Sequence, residues 1–84
     1  MKKFLVWIVR SPDFTGDSIT GHREHLQKLR EAGKLVLAGG FADQTGGAYI
    51  IQCESIEAAE DLIKKDPMNN ASEAFYQLKE WNAS

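Results

Sequence analysis

At 84 residues the chain is sized for a single domain, 1–84, with a thin core, because a chain this short buries only roughly 60–65% of its unfolded surface. Ten Lys+Arg against twelve Asp+Glu leave a net charge of −2 and no basic stripe, which argues against a nucleic-acid partner. The single Cys53 rules out an intrachain disulfide framework, and no apolar run approaches the ~20 residues of a membrane span.

The chain starts Met-Lys-Lys and then alternates into Phe4-Leu-Val-Trp-Ile-Val9. That run is too short for a signal-peptide core, and no small-residue cleavage site follows it. A soluble cytoplasmic protein is expected, with no membrane partner. Lys3 to Arg10 reads as a strand apolar on both faces, with Phe4, Val6 and Ile8 on one side and Leu5, Trp7 and Val9 on the other. Ser11-Pro-Asp-Phe-Thr-Gly16 breaks it with turn chemistry. A helix then begins between Asp17 and Thr20 and stops at Gly33, a residue suited to the left-handed position after a helix. At about 100° per residue, His22, His25, Leu26, Leu29 and Ala32 share its core-facing stripe, while Arg23, Glu24, Lys28, Arg30 and Glu31 lie mostly on the solvated side. A histidine on such a stripe is either a satisfied structural group or the working part of a site.

Leu35 to Phe41 and Ala48 to Cys53 read as second and third strands joined by a glycine-rich hairpin. Ser55 is a clear N-cap for a second helix, Ile56 to about Lys65, with the apolar stripe Ile56, Ala59, Leu62 and Ile63. Asp66 projects onto that stripe, and Pro67 redirects the chain. Glu73 to Trp81 fits helix or strand; Phe75, Tyr76 and Trp81 favour a strand. The order β-α-β-β-α-β predicts an α+β, ferredoxin-like fold, with two helices on one face of a four-stranded antiparallel sheet. The other face, carrying Trp7, is apolar too and needs cover. Closure of two copies sheet-on-sheet into a dimeric α+β barrel is the economical solution.

His25-Leu26 with Leu29, Ala32-Gly33-Lys34-Leu35, Leu37-Ala-Gly-Gly-Phe41, the Gly46-Gly47 turn, Ser55-Ile-Glu-Ala-Ala59 and Asp66-Pro67 stand in an ordered series over nearly the whole chain. This series resembles the YciI-like (YCII-related) family. The resemblance implies a dimeric ferredoxin-like α+β barrel related to muconolactone isomerases and chloromuconolactone dehalogenases. It also implies an active site built from a histidine and an aspartate, which by motif match are His25 and Asp66. Many members carry an arginine three residues before that histidine; here the position is His22, with Arg23 one step on. Many also read Ala-Gly-Pro where this chain has Ala-Gly-Gly.

In a split βαβ unit the two helices pack side by side, so His25 and Asp66 are placed to meet. An aspartate beside an imidazole fixes its tautomer and makes the other ring nitrogen a better base. The expected function is cofactor-independent acid–base chemistry, of isomerase, lyase or dehalogenase type, on a small organic molecule. His22, Arg23 and the Tyr49 hydroxyl would line the substrate pocket, and Tyr76 is a second candidate hydroxyl. The alternative is a non-catalytic ligand-binding or accessory dimer with the same pocket. His22 and His25 at i, i+3 with Asp66 also spell a weak metal triad, but that spacing is common by chance, and no metal is expected. The glycine loop lacks a nucleotide-binding pattern, and Cys53 reads as a small core residue.

Overall fold

The computed structural model describes residues 1–84. Its elements are β1 (Lys2–Arg10), α1 (Ile19–Glu31), β2 (Leu35–Gly40), β3 (Gly46–Cys53), α2 (Ile56–Lys64) and β4 (Ala74–Glu80). The strands form one antiparallel sheet in the order β2-β3-β1-β4, which is the ferredoxin-like arrangement expected. Differences from expectation are confined to element ends. Phe41 opens the hairpin instead of closing β2, and Gly46 and Gly47 belong to β3. The ambiguous segment after Ser72 is a strand, because Ala74 to Glu80 pairs with β1 along its whole length.

Alternation sorts the side chains by face. Phe4, Val6 and Ile8 of β1 and Tyr49 and Ile51 of β3 are buried under the helices, against Leu29 of α1 and Ala59 and Ile63 of α2. Each large apolar side chain buried this way contributes roughly 1.5–3 kcal/mol, so this one layer is the main source of stability. On the opposite face, Trp7, Leu37, Phe75 and Trp81 stay 46, 65, 54 and 46% exposed. No helix is long and apolar enough to cross a membrane.

The helix ends show local sequence and remote structure dividing the work. Ser55 caps α2 as its sequence predicts, accepting from the Ala58 N–H at 3.1 Å. At the C-terminus of α1, Gly33 takes φ +73°, a left-handed conformation that favours glycine. Ser18 occupies the N-cap of α1 but makes no side-chain cap bond within the helix. Its hydroxyl donates instead to Glu73 Oε1 at 2.8 Å, and Glu73 Oε2 accepts from the Thr15 N–H at 2.7 Å and the Thr15 hydroxyl at 3.1 Å. These bonds, led by the Thr15 N–H, hold the Glu73 carboxyl down to about 2. A carboxylate at the head of β4 thus fixes the start of α1, and with it the helix that carries both histidines.

Candidate functional site

The site is assembled where α2 ends. Asp66 follows the last turn, and its own backbone folds over it: the Met68 N–H donates to Asp66 Oδ1 at 3.0 Å. That Asx turn swings the carboxylate inward, where Asp66 is 2% exposed. Beneath it lie two tyrosines on the helix-facing side of the sheet. Tyr49 sits opposite Val6 and Tyr76 opposite Ile8, on the strands flanking β1. Both hydroxyls donate to Asp66 Oδ2, at 3.1 Å from Tyr49 and 2.7 Å from Tyr76.

The fourth donor comes from α1. His22 Nδ1 lies 2.8 Å from Asp66 Oδ2 and 3.0 Å from Oδ1. This close approach depends on Gly21. A Cβ there would stand 2.9 Å from Pro67 Cγ, and a proline ring has little freedom to yield. Gly21→Ala therefore gains about 1 kcal/mol of helix propensity and loses about 1–3 kcal/mol to overpacking. We expect a net destabilisation of about 1 kcal/mol in urea unfolding, the reverse of the ordinary helical Gly→Ala result.

Burial by itself would raise the Asp66 pKa. The hydrogen bonds from His22 and Tyr76, the His22 charge and the Met68 N–H outweigh it and hold the carboxyl below its usual range. The two phenols move the other way. Burial, and then the Asp66 carboxylate, push Tyr49 and Tyr76 well above the ordinary tyrosine value. At neutral pH the cluster is one carboxylate receiving two phenolic O–H donors and a ring nitrogen. With Nδ1 committed to Asp66, Nε2 is the ring nitrogen left for a ligand.

His25 falls elsewhere. The expected His25–Asp66 bond does not form; one turn earlier, His22 makes it. His25 faces α2, where its Nε2 is buried without a hydrogen-bond partner. Burial lowers its pKa below 6.5, only partly offset by the Asp66 charge and the nearby Leu62 carbonyl. Between that lowered value and 6.5 the unfolded chain binds a proton that the folded one refuses. Stability therefore falls as pH drops through this window. Replacing His25 with leucine should flatten this part of the stability profile, seen as urea midpoints that change less between pH 7 and about pH 5.5 than in the wild type.

A cleft of about 360 Å³ opens beside the cluster, walled by α1, the ends of β1 and β3, and the edge strand β2. His22, Arg23 and Tyr49 line it, as do Arg10 and Arg30. His25 does not, and Asp66 stands behind His22 and Tyr49. The volume lies near the lower end of the ~300–1,000 Å³ typical of small-molecule sites. Cys53 lies outside the site: it is 4% exposed, its thiol donates to the Ser55 carbonyl at 3.5 Å, and burial raises its pKa.

Two residues of this framework carry weak sequence signals. Glu73 reads as an ordinary strand-edge acid, and Gly21 as an ordinary helix position. The resemblance points to His25 by motif position, whereas His22 shares the same helical stripe three residues earlier.

The fold is that of a small ferredoxin-like α+β domain with a cleft beside its buried carboxylate cluster. The profile of the YCII-related domain matches residues 3–82, and the chain belongs to this family. It is 33% identical over 81 residues to YjpA of Bacillus subtilis (strain 168), covering 96% of this chain and 95% of that protein. Among solved structures, it is similar to the 5-chloro-2-hydroxyhydroquinone dehydrochlorinase TftG of Burkholderia phenoliruptrix AC1100, in complex with 2,5-dihydroxybenzoquinone. That match has a TM-score of 0.77 and 21% identity, over 98% of this chain and 95% of TftG. At that identity the likeness is one of fold.

Proposed function

We propose that this protein is a small cofactor-independent enzyme in which His22 and Asp66 perform acid–base chemistry on a small organic molecule. The observation that carries the reading is the 2.8 Å contact between His22 Nδ1 and the buried Asp66 carboxylate at the wall of the cleft. Asp66 accepts the Nδ1 proton and so leaves the Nε2 lone pair free. Nε2 then takes a proton from a substrate carbon beside a carbonyl, and the C–H electron pair moves into an enolate. Return of the proton at another carbon gives isomerisation; departure of a leaving group from the adjacent carbon gives elimination. Tyr49 and Tyr76 hold Asp66 in place, and the role expected of His25 passes to His22. His25 itself packs between the helices.

The dehydrochlorinase likeness supports hydroxylated six-membered rings as first substrates. The test is deuterium exchange at the ring C–H of a hydroxyquinone panel in D₂O, followed by ¹H NMR. The wild type should catalyse exchange and His22→Gln should not. Ligand line-broadening with no exchange by the wild type would replace this reading with a non-catalytic binding module.

The apolar sheet face is covered in this reading by a second copy of the chain, since Trp7, Leu37 and Phe75 together form a patch that soluble monomers seldom expose. Light scattering should give twice the 9.4 kDa chain mass for the wild type. Leu37→Asp combined with Trp7→Asp should return it to a single chain mass. A wild type that elutes as a monomer at high micromolar concentration would sink the dimer.

A further inference from the structure

We infer that the cleft recognises a planar organic anion, a carboxylate or enolate on a small ring, held by Arg10, Arg23 and Arg30. The inference names the substrate class for the acid–base reading above and rests on it. The chain has three arginines, and all three line this one cleft. None of its twelve Asp and Glu residues does. In a chain of net charge −2, that sorting is the reverse of what composition favours.

No arginine is neutralised by the protein. The ion pairs of the chain are Lys2–Glu80 and His22–Asp66. Arg10 is stacked with its guanidinium carbon 4.4 Å from the centroid of the Phe14 ring, which steadies the group without cancelling its charge. The nearest partner of Arg30 is the neutral Gln27 amide oxygen at 3.5 Å. Arg23 and Arg30 stand seven residues apart, on one side of α1 and roughly 10 Å apart along its axis. Gathering like charges without a counter-charge is unfavourable, and a bound anion removes the penalty. Flat guanidinium forks match carboxylate and enolate oxygens in pairs. Leu26, Ala38 and Met68 supply the apolar wall for a ring. The same charges would favour the enolate formed when His22 removes a proton, because that charge develops inside the cleft.

Isothermal titration with benzoate and its neutral isostere benzamide, at low and high salt, tests the inference. Benzoate should bind the wild type at least about tenfold more tightly than benzamide, with the gap shrinking at high salt. Arg10→Gln/Arg30→Gln should lose about tenfold or more of the benzoate affinity and leave benzamide unchanged. His22→Gln should still bind benzoate. Equal affinity for the two probes, benzoate affinity that survives the double substitution, or no binding of either probe overturns the inference. Charge-selective binding without wild-type C–H exchange would sink the acid–base reading alone. C–H exchange with charge-blind binding would sink only the anion.

Discussion

His22→Gln is expected to lower the rate of C–H exchange or turnover by roughly 10²–10⁴-fold, the usual contribution of a positioned general base. Glutamine keeps a polar side chain of comparable length and can still donate to Asp66, so the fold should be held while the basic nitrogen is lost. The matching control is His25→Gln, whose target lies outside the cleft lining and should leave the rate within about tenfold of wild type. The ratio of the two effects is the informative quantity. A larger loss at His25 than at His22 would reverse the assignment and restore the histidine that the family spacing points to. Activity should also depend on the partners of Asp66. Tyr76→Phe removes a 2.7 Å bond without touching the imidazole, and is expected to reduce the rate by less than His22→Gln.

Asp66→Ala should be the most destabilising single substitution in the chain, by about 3–5 kcal/mol, because it leaves a buried network without its acceptor. His22, Tyr49, Tyr76 and the Met68 N–H all lose a partner at once, and Tyr49 is itself only 2% exposed. Small domains commonly have about 5–15 kcal/mol in total, so a substantial unfolded fraction is expected at 37 °C. Asp66→Asn keeps the volume and one acceptor oxygen, so its loss should be smaller. The two variants also separate charge from packing by pH. The folded pKa of Asp66 lies below its ordinary 3.8. Its contribution is therefore present above that ordinary value and is lost as pH falls through the lowered folded one. Asp66→Asn should remove that part of the acid limb, and Asp66→Ala should do the same from a lower plateau. Urea unfolding against pH measures both; a loss under about 1 kcal/mol for Asp66→Ala would mean the cluster is not holding the fold together.

The six elements were legible because their signals are local. Two-sided apolar runs mark β1 and β3, Ser55 marks the start of α2, and Gly33 marks the stop of α1. Asp66 was legible as well, since a carboxylate on an apolar stripe before a proline is hard to explain as surface. The choice between His22 and His25 was not. Both share one helical face 300° of rotation apart, and the amphipathic pattern separates them too little to select a partner. That choice depends on how far α1 slides along α2.

The sequence by itself determined the order of strands and helices, the apolar character of both sheet faces and the presence of a buried aspartate, because periodicity, caps and turn residues act over a few positions. Only the tertiary structure decided the geometry of the candidate site. Gly21 lets α1 close on Pro67, which brings His22 rather than His25 to Asp66. Glu73 reaches from β4 to pin the start of that helix. Tyr49 and Tyr76 converge on one carboxylate from either side of β1. Arg10 at the end of β1 meets Arg23 and Arg30 of α1 at one cleft. Each of these depends on where two elements pack, and that geometry is set by side-chain volume and burial across the whole sheet.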